Sequence, residues 1–297
     1  MEHRIDPWLI LAVVGILGAS LTTLHPVSRV VGSNLLLRQL AWGVIGLLIL
    51  WLMSLVRLDI YERLAPVFFA VGMFALIAVL LVGEARGGNR AWIAIGPLTV
   101  QPSEFARLTT ILGAAAWLTR RGGRNLRVGE VVAATAIVMA PVGLIVLEPD
   151  LGVALTYLPI LAGLLILGGL PRQVWLVLVI VAILGAFASW RYVLEPYQKD
   201  RVMTVFQPER DPFGAGYQVR QSKIAVGSGG ISGQGLGRGS QSQLRFLPAQ
   251  HTDFAFAVWA EATGFLGGTM LLLAYALLLS RISKVALTTE SRHGLIL

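Results

Sequence analysis

Apolar residues run along this chain in long blocks with few charges, not in the alternation of half-buried strands or the single stripe of surface helices. The blocks are about as long as the roughly 20 residues a helix needs to cross a hydrocarbon layer of about 30 Å. The pattern predicts eight spans, near residues 8–24, 36–56, 64–82, 102–118, 131–147, 151–169, 174–191 and 254–280. Between them lie short polar stretches and one long one, 192–253, far above the usual connection length and therefore expected to carry function. The expected fold is all-α: a polytopic helical bundle forming a single membrane domain, 1–297, with a large, partly helical extracytoplasmic loop. Arg4 ahead of the first run looks like the start of a signal peptide, but seven further spans make that run a first transmembrane helix. The closing Gly294-Leu295-Ile296-Leu297 reads as the start of another apolar helix, so the sequence is expected to cover part of a longer protein.

Composition sharpens this picture. The chain has 297 residues, 56% hydrophobic and 13% charged, and its mean hydropathy of +0.73 exceeds what one soluble core hides. No cysteine is present, which excludes disulfides and thiolate metal or redox sites, and the four histidines (His3, His25, His251, His293) are scattered. A net charge of +8 would suit a nucleic-acid binder, but the positives follow membrane asymmetry instead. With the N-terminus in the cytoplasm, the inner side carries Arg4, Arg57, Arg63, Arg120, Arg121, Arg124, Arg127, Arg172, Arg281, Lys284 and Arg292. The short outer loops carry only Arg29, Arg38, Arg86 and Arg90. That excess places the N-terminus inside and loop 192–253 outside, with no nucleic acid as partner.

Charge at the edge of a bilayer costs about 2.5–3.5 kcal/mol on insertion scales, which makes each instance a functional candidate. Five acids qualify: Glu104, Glu148, Asp150, Asp253 and Glu261. Glu104 and Arg107, three apart on one helix face, form either a self-neutralising pair or a polar lining for an outer cavity. Pro102 suits the first turn of that helix and Ser103 suits a cap. Glu148-Pro149-Asp150-Leu151-Gly152 breaks the helical path, either as a tight turn with solvated acids or as an interrupted segment whose carboxylates face a polar cavity.

The long loop holds apolar side chains enough to fold against the membrane domain, among them Tyr192, Tyr197, Phe206, Phe213, Tyr217, Leu236, Leu244 and Leu247. Residues 217–226 read as a short helix with Arg220 and Lys223 on one side. The run Gly227-Ser228-Gly229-Gly230-Ile231-Ser232-Gly233-Gln234-Gly235-Leu236-Gly237-Arg238-Gly239-Ser240 either turns backbone amides toward an anion or is a flexible surface loop. Asp253, where the last span begins, is either a structural N-cap or a carboxylate presented at the outer face beside a cationic loop. Glu261 lies eight residues on, about 12 Å along the helix, too far for an adjacent acid–base pair.

Four motifs in order resemble those of the SEDS proteins (RodA, FtsW and the sporulation homologue). They are Asn89-Arg90-Ala91-Trp92-Ile93-Ala94-Ile95-Gly96 with Gln101-Pro102-Ser103-Glu104-Phe105-Ala106; Pro149-Asp150-Leu151-Gly152; Tyr217-Gln218, Gln221-Ser222 and Gly227-Ser228-Gly229-Gly230; and Phe246-Leu247-Pro248-Ala249-Gln250-His251-Thr252-Asp253-Phe254. Gly239-Ser240-Gln241-Ser242-Gln243-Leu244 is closer to the RodA branch. The resemblance covers residues 36–268 and implies about ten spans and a peptidoglycan glycosyltransferase. Such an enzyme polymerises lipid II at the outer face of the bacterial cytoplasmic (inner) membrane, in a RodA-like role in elongation. It also implies a partner, a class B penicillin-binding protein, and Asp253 as the essential carboxylate. Two departures stand out: Arg107 replaces a usual Lys, and Ala262 replaces a usual second acid after Glu261.

Joining an acceptor 4-hydroxyl to the anomeric carbon of an undecaprenyl-pyrophosphate-linked glycan inverts configuration. It needs a base on the hydroxyl and charge stabilisation on the leaving group. Asp253 is expected to be that base, or to bind a divalent cation (Mg²⁺ or Mn²⁺) beside it; no organic cofactor is expected. Arg201, Arg210, Arg220, Lys223 and Arg245 are candidates to hold pyrophosphate, with His251, Thr252, Glu104, Arg107 and Asp150 as further substrate-binding candidates. The rival expectation is a lipid II flippase or transporter, which broken helices and intramembrane charge also fit.

Overall fold

The computed structural model describes residues 6–31, 34–86, 89–96, 98–120, 126–244, 246–247, 250–289 and 292–296. Each predicted span is helical: α1 (Pro7–Val31), α2 (Leu35–Ser54), α3 (Leu58–Val82), α4 (Pro102–Thr119), α5 (Val128–Leu147), the short pair α6 (Leu151–Leu155) and α7 (Tyr157–Leu167), α8 (Arg172–Ala188) and α12 (Ala255–Thr288). Six stretches among the described residues are long and apolar enough to cross a membrane: α1, α2, α3, α5, the α8 segment Gln173–Tyr192 and α12. The apolar windows of α2 and of the α8 segment are nowhere buried in the protein, as expected of faces that meet lipid. α4, with its charged pair, and the short α6 and α7 fall outside that set.

The chain forms two compact units, Met1–Leu55 with Ile183–Lys284 and Val56–Ala182 with Val285–Leu297. In the second, α4 is central. Its Ala106, Ala114 and Ala115 are small enough to admit close neighbours, and Leu118 joins them in a core with Leu76, Val138, Ile145, Tyr157 and Leu165. Ile296 of the terminal helix α13 (Arg292–Ile296) belongs to the same core. The stretch 83–101, expected as a plain loop, holds three antiparallel strands, β1 (Glu84–Arg86), β2 (Asn89–Ile95) and β3 (Leu98–Val100). The run Ala91-Trp92-Ile93-Ala94-Ile95 has the apolar and β-branched character that pairs across a pleated surface, and Ile93 lies opposite Val100.

In the first unit, α1 is tied at both ends. Asp6 caps its start, accepting the Trp8 amide at 3.0 Å, and also accepts Nε–H of Arg281 in α12 at 2.8 Å. Near its other end Thr23, Pro26 and Val27 meet Leu236, Gly237, Ser242 and Val258. The N-terminal start of α1 and residues Leu236, Gly237 and Ser242 of the long loop therefore lie at opposite ends of this helix. The loop is helical in part: α9 (Pro196–Phe206), a 3-10 turn (Pro208–Arg210), α10 (Ala215–Ser228), which contains the predicted 217–226 helix, and α11 (Ser240–Gln243). Its apolar residues do not all turn inward. Leu247 and Ala225 are buried with Val27, Ala257 and Val258, but Tyr192, Phe206, Phe213 and Leu244 remain exposed.

The last span is not one continuous helix. Gly264 takes φ 68° and ψ −165°, a left-handed conformation that breaks α12 into two segments. The glycine run fills the break: Gln234 and Gly235 donate their amides to the carbonyls of Glu261 and Ala262, at 3.0 and 2.9 Å. In return Phe265 and Leu266 donate to the carbonyls of Gly230 and Ile231. A Cβ on Gly264 would sit 2.3 Å from the Gly233 nitrogen, so only glycine permits this approach. Both expectations for the run, anion cradle and loose loop, give way to a third role: it satisfies the broken helix's backbone.

Candidate functional site

The chain turns at residues 250–254 before entering α12, with Gln250 buried and His251, Thr252 and Asp253 exposed. Asp253 is not the cap of α12. The amides of Ala257 and Val258 are taken by the Phe254 carbonyl, and the Asp253 carboxylate has no hydrogen-bond or salt-bridge partner among the described residues. Lying two residues before Ala255, the carboxylate is near the positive end of the helix dipole, which favours an anion brought beside it.

His251 and Ala255, on either side of Asp253, both line a cavity of about 360 Å³ bounded by α1, α2 and α12. Its walls are mainly apolar, with Ile16, Leu24, Phe256, Trp259 and Leu271, and Ser20, Thr23 and Gln39 add polar atoms. A second apolar pocket of about 340 Å³ shares Ile16, Gln39 and Tyr275 with it and continues along α1 and α2 past Trp42 and Leu50. The first unit therefore presents a free carboxylate next to the entrance residues of a long apolar recess.

Arg220 and Lys223 are exposed and three apart on α10, so they share a face as expected. Arg201 lies in α9 and Arg210 in the 3-10 turn, but their side chains lie outside the description, and Arg245 lies outside the described residues altogether. Glu261 is wholly buried. Its Oε1 accepts the Gln241 amide at 2.8 Å and its Oε2 the Ser242 amide at 3.2 Å, so this carboxylate holds α11 and the end of the glycine run to α12. Backbone amides of this region do face an anion, and that anion is the protein's own.

The second unit carries the other polar group. Arg107 pairs with Glu104, as the spacing predicted, and also donates to Thr156 Oγ1 at 3.3 Å. Asp150 caps α6 through the Val153 amide at 3.2 Å and accepts from Gln101 Nε2 at 3.0 Å. Ser103 does not cap α4: the cap position is Gln101, and Ser103 Oγ is buried without a hydrogen-bond partner. Glu148 is not solvated either. It is fully buried in the turn after α5, and neither carboxylate oxygen has a hydrogen-bond partner among the described residues. Burial first, and the charge of Asp150 second, push its carboxyl up to about 7. Thr156 had no signal in the sequence and Gln101 only its place in the first motif; Glu148 stood out as an acid between two apolar runs, but its burial was not legible.

The profile of the cell cycle protein family FtsW/RodA/SpoVE matches residues 5–297. The peptidoglycan glycosyltransferase MrdB of Escherichia coli (strain K12) is 35% identical over 295 residues, covering 98% of this chain and 78% of that protein. A probable peptidoglycan glycosyltransferase FtsW of Coxiella burnetii is 31% identical, covering 98% and 80%. Among solved structures, a chain of a peptidoglycan synthase complex superposes with TM-score 0.80 at 32% identity, covering 98% of this chain and 81% of its own. The rod shape determining protein RodA of Thermus thermophilus superposes with TM-score 0.67 at 27% identity, covering 98% and 80%. With its membrane helices, its carboxylate at the head of α12 and this match over nearly its full length, the chain belongs to the FtsW/RodA/SpoVE family.

Proposed function

We propose that the protein is a peptidoglycan glycosyltransferase that polymerises lipid II into glycan strands at the outer face of the bacterial cytoplasmic membrane, in cell-wall elongation. The relatives named as peptidoglycan glycosyltransferases support the reaction, and the synthase-complex neighbour supports a class B penicillin-binding protein as partner. The N-terminus is cytoplasmic in this reading, on the strength of the charge asymmetry.

One observation carries the site assignment: the Asp253 carboxylate is exposed, without a partner among the described residues, and flanked by two residues of an apolar recess. A prenyl pyrophosphate sugar has those two needs, a wet reacting end and a dry tail. Asp253 accepts the proton of the acceptor 4-hydroxyl as that oxygen bonds to the donor's anomeric carbon. The bond from that carbon to pyrophosphate breaks with inversion, and undecaprenyl pyrophosphate leaves. Arg220 and Lys223, with Arg201, Arg210 and Arg245, supply positive charge for the leaving group, and His251 and Thr252 flank the acceptor. A divalent cation fits the donor set only in part, since no group of three or more His, Asp or Glu side chains gathers among the described residues. Asp253 is the residue that would hold it, with waters and pyrophosphate oxygens completing the shell and the ion offsetting phosphate charge.

The test is Asp253→Asn in a polymerisation assay with purified lipid II. A general base contributes about 10²–10⁴-fold, so the variant should lose at least about 100-fold in rate while keeping its fold. Near-normal polymer from correctly folded variant removes Asp253 from the chemistry. Translocation of labelled lipid II across liposomes without polymer would establish the flippase instead.

A further inference from the structure

α9 follows the α8 segment at once: the apolar span ends at Tyr192 and α9 begins at Pro196. Four residues reach at most about 14 Å, so the start of α9 is held close to the membrane surface. On a helix turning about 100° per residue, Val202, Val205 and Phe206 share one face and Thr204 lies on the opposite side. The burial is the reverse of a water-facing loop helix. Thr204 is 6% exposed, turned into the protein, whereas Val202, Val205 and Phe206 are 43, 60 and 77% exposed.

A soluble loop would put the apolar stripe inward. Here the stripe is the outward face, and cations stand at its margin. Lys199, one turn before Val202 and Met203, is half-buried and can lay its stem along the stripe with its ammonium at the edge. Arg191, at the end of the span, stacks over Tyr192 at 5.7 Å. Tyr192 and Phe213, on either side of α9 in sequence, are also strongly exposed. Apolar stripe, basic margin and flanking aromatics are the marks of a helix lying in a lipid interface.

We propose that α9 is an interfacial helix, seated with Val202, Val205 and Phe206 in the outer leaflet and with Lys199 and Arg191 among anionic lipid headgroups. The occupant of this face is phospholipid rather than protein, because the chain passes from the unburied apolar segment ending at Tyr192 into α9 at Pro196, and because Arg191 and Lys199 complement anionic headgroups. The seating holds the loop down over the membrane, and it does not depend on which reaction the protein catalyses.

The natural absence of cysteine makes the test clean. Single variants Val202→Cys, Val205→Cys and Phe206→Cys, with Asp200→Cys as a control on the far side, are labelled with a nitroxide. The full-length protein is then placed in nanodiscs of phosphatidylethanolamine and phosphatidylglycerol. The expected result is collision with oxygen favoured over a water-soluble nickel chelate by several-fold at the three stripe positions, and the reverse at residue 200. Equal access of the chelate to all four positions overturns the proposal. So does protection of the stripe that appears only when a transpeptidase partner is added. Correct folding is judged by unchanged elution and thermal unfolding midpoint of each labelled variant, so a failed fold is not mistaken for a failed seating. Replacing phosphatidylglycerol by phosphatidylcholine should weaken the effect, and Lys199→Gln should weaken it in phosphatidylglycerol discs alone.

Discussion

Glu261 is the residue whose replacement separates structure from chemistry most sharply. Its carboxylate is wholly buried and accepts two amides, from Gln241 and Ser242, that have no other acceptor among the described residues. Glu261→Ala strands both N–H groups in a dry site at about 1–3 kcal/mol each and opens a cavity besides, so a loss on the order of 4 kcal/mol follows. Glu261→Gln keeps the shape but turns one acceptor into a donor facing a donor, at about 2 kcal/mol. For a unit of this size each kcal/mol moves the midpoint by about 2–4 °C, so thermal unfolding in detergent should show drops of about 8–16 °C and 4–8 °C. Gly239→Ala should reproduce the defect without touching the acid, because its Cβ would lie 2.3 Å from Glu261 Oε2. Total polymerisation should fall in step with the folded fraction in all three, and polymerisation per folded molecule should stay near that of the parent. If Glu261→Gln unfolds like the parent yet makes no polymer, Glu261 belongs to the chemistry and the structural assignment is wrong.

Two further outcomes follow from the same coordinates. Glu148 is raised from 4.5 to about 7 in the fold, so the folded state holds its proton more tightly. Its contribution is complete below about pH 4.5 and is lost as pH rises to about 7, up to about 3 kcal/mol at 1.36 kcal/mol per pH unit. Glu148→Gln should therefore be more stable than the parent at pH 8 and flatter between pH 5 and 7, read as unfolding midpoint against pH. The Asp6–Arg281 pair joins residues 275 apart, and the guanidinium holds the Asp6 carboxyl below its ordinary value. Asp6→Asn and Arg281→Gln should each lower the midpoint at neutral pH, with the double variant no worse than the poorer single one. The pair's stabilisation should fade only as pH falls below the ordinary carboxylate range.

The helices were legible because lipid imposes a coarse rule, about twenty apolar residues per crossing, that survives any detail of packing. Asp253 was legible because an acid at the head of an apolar run stands out, and the Glu104–Arg107 pair because spacing of three on a helix is local geometry. What escaped was long-range. Asp150 meets Gln101 forty-nine residues away, and nothing in either neighbourhood announces the other. Trp92, Ile93 and their neighbours read as part of a loop because three- and seven-residue strands are too short to outweigh the glycines around them in a pattern count.

The glycine run shows why such misses matter for function. Seven glycines suggest amides free for a ligand, yet a backbone with no side chains is equally suited to packing against another backbone, and only the partner decides between the two. The partner here is α12 at its break: the amides of Gln234 and Gly235 are spent on its carbonyls, and those of Gln241 and Ser242 on Glu261. On the proposed function, the loop's charged side chains rather than these four amides are the groups to meet pyrophosphate. The same packing also accounts for the different fates of two acids eight residues apart, Asp253 in the turn before α12 and Glu261 inside it. Glu261 is consumed in anchoring the loop over the break, and the anchored loop then returns to α12 through a turn in which Asp253 is exposed and has no partner among the described residues.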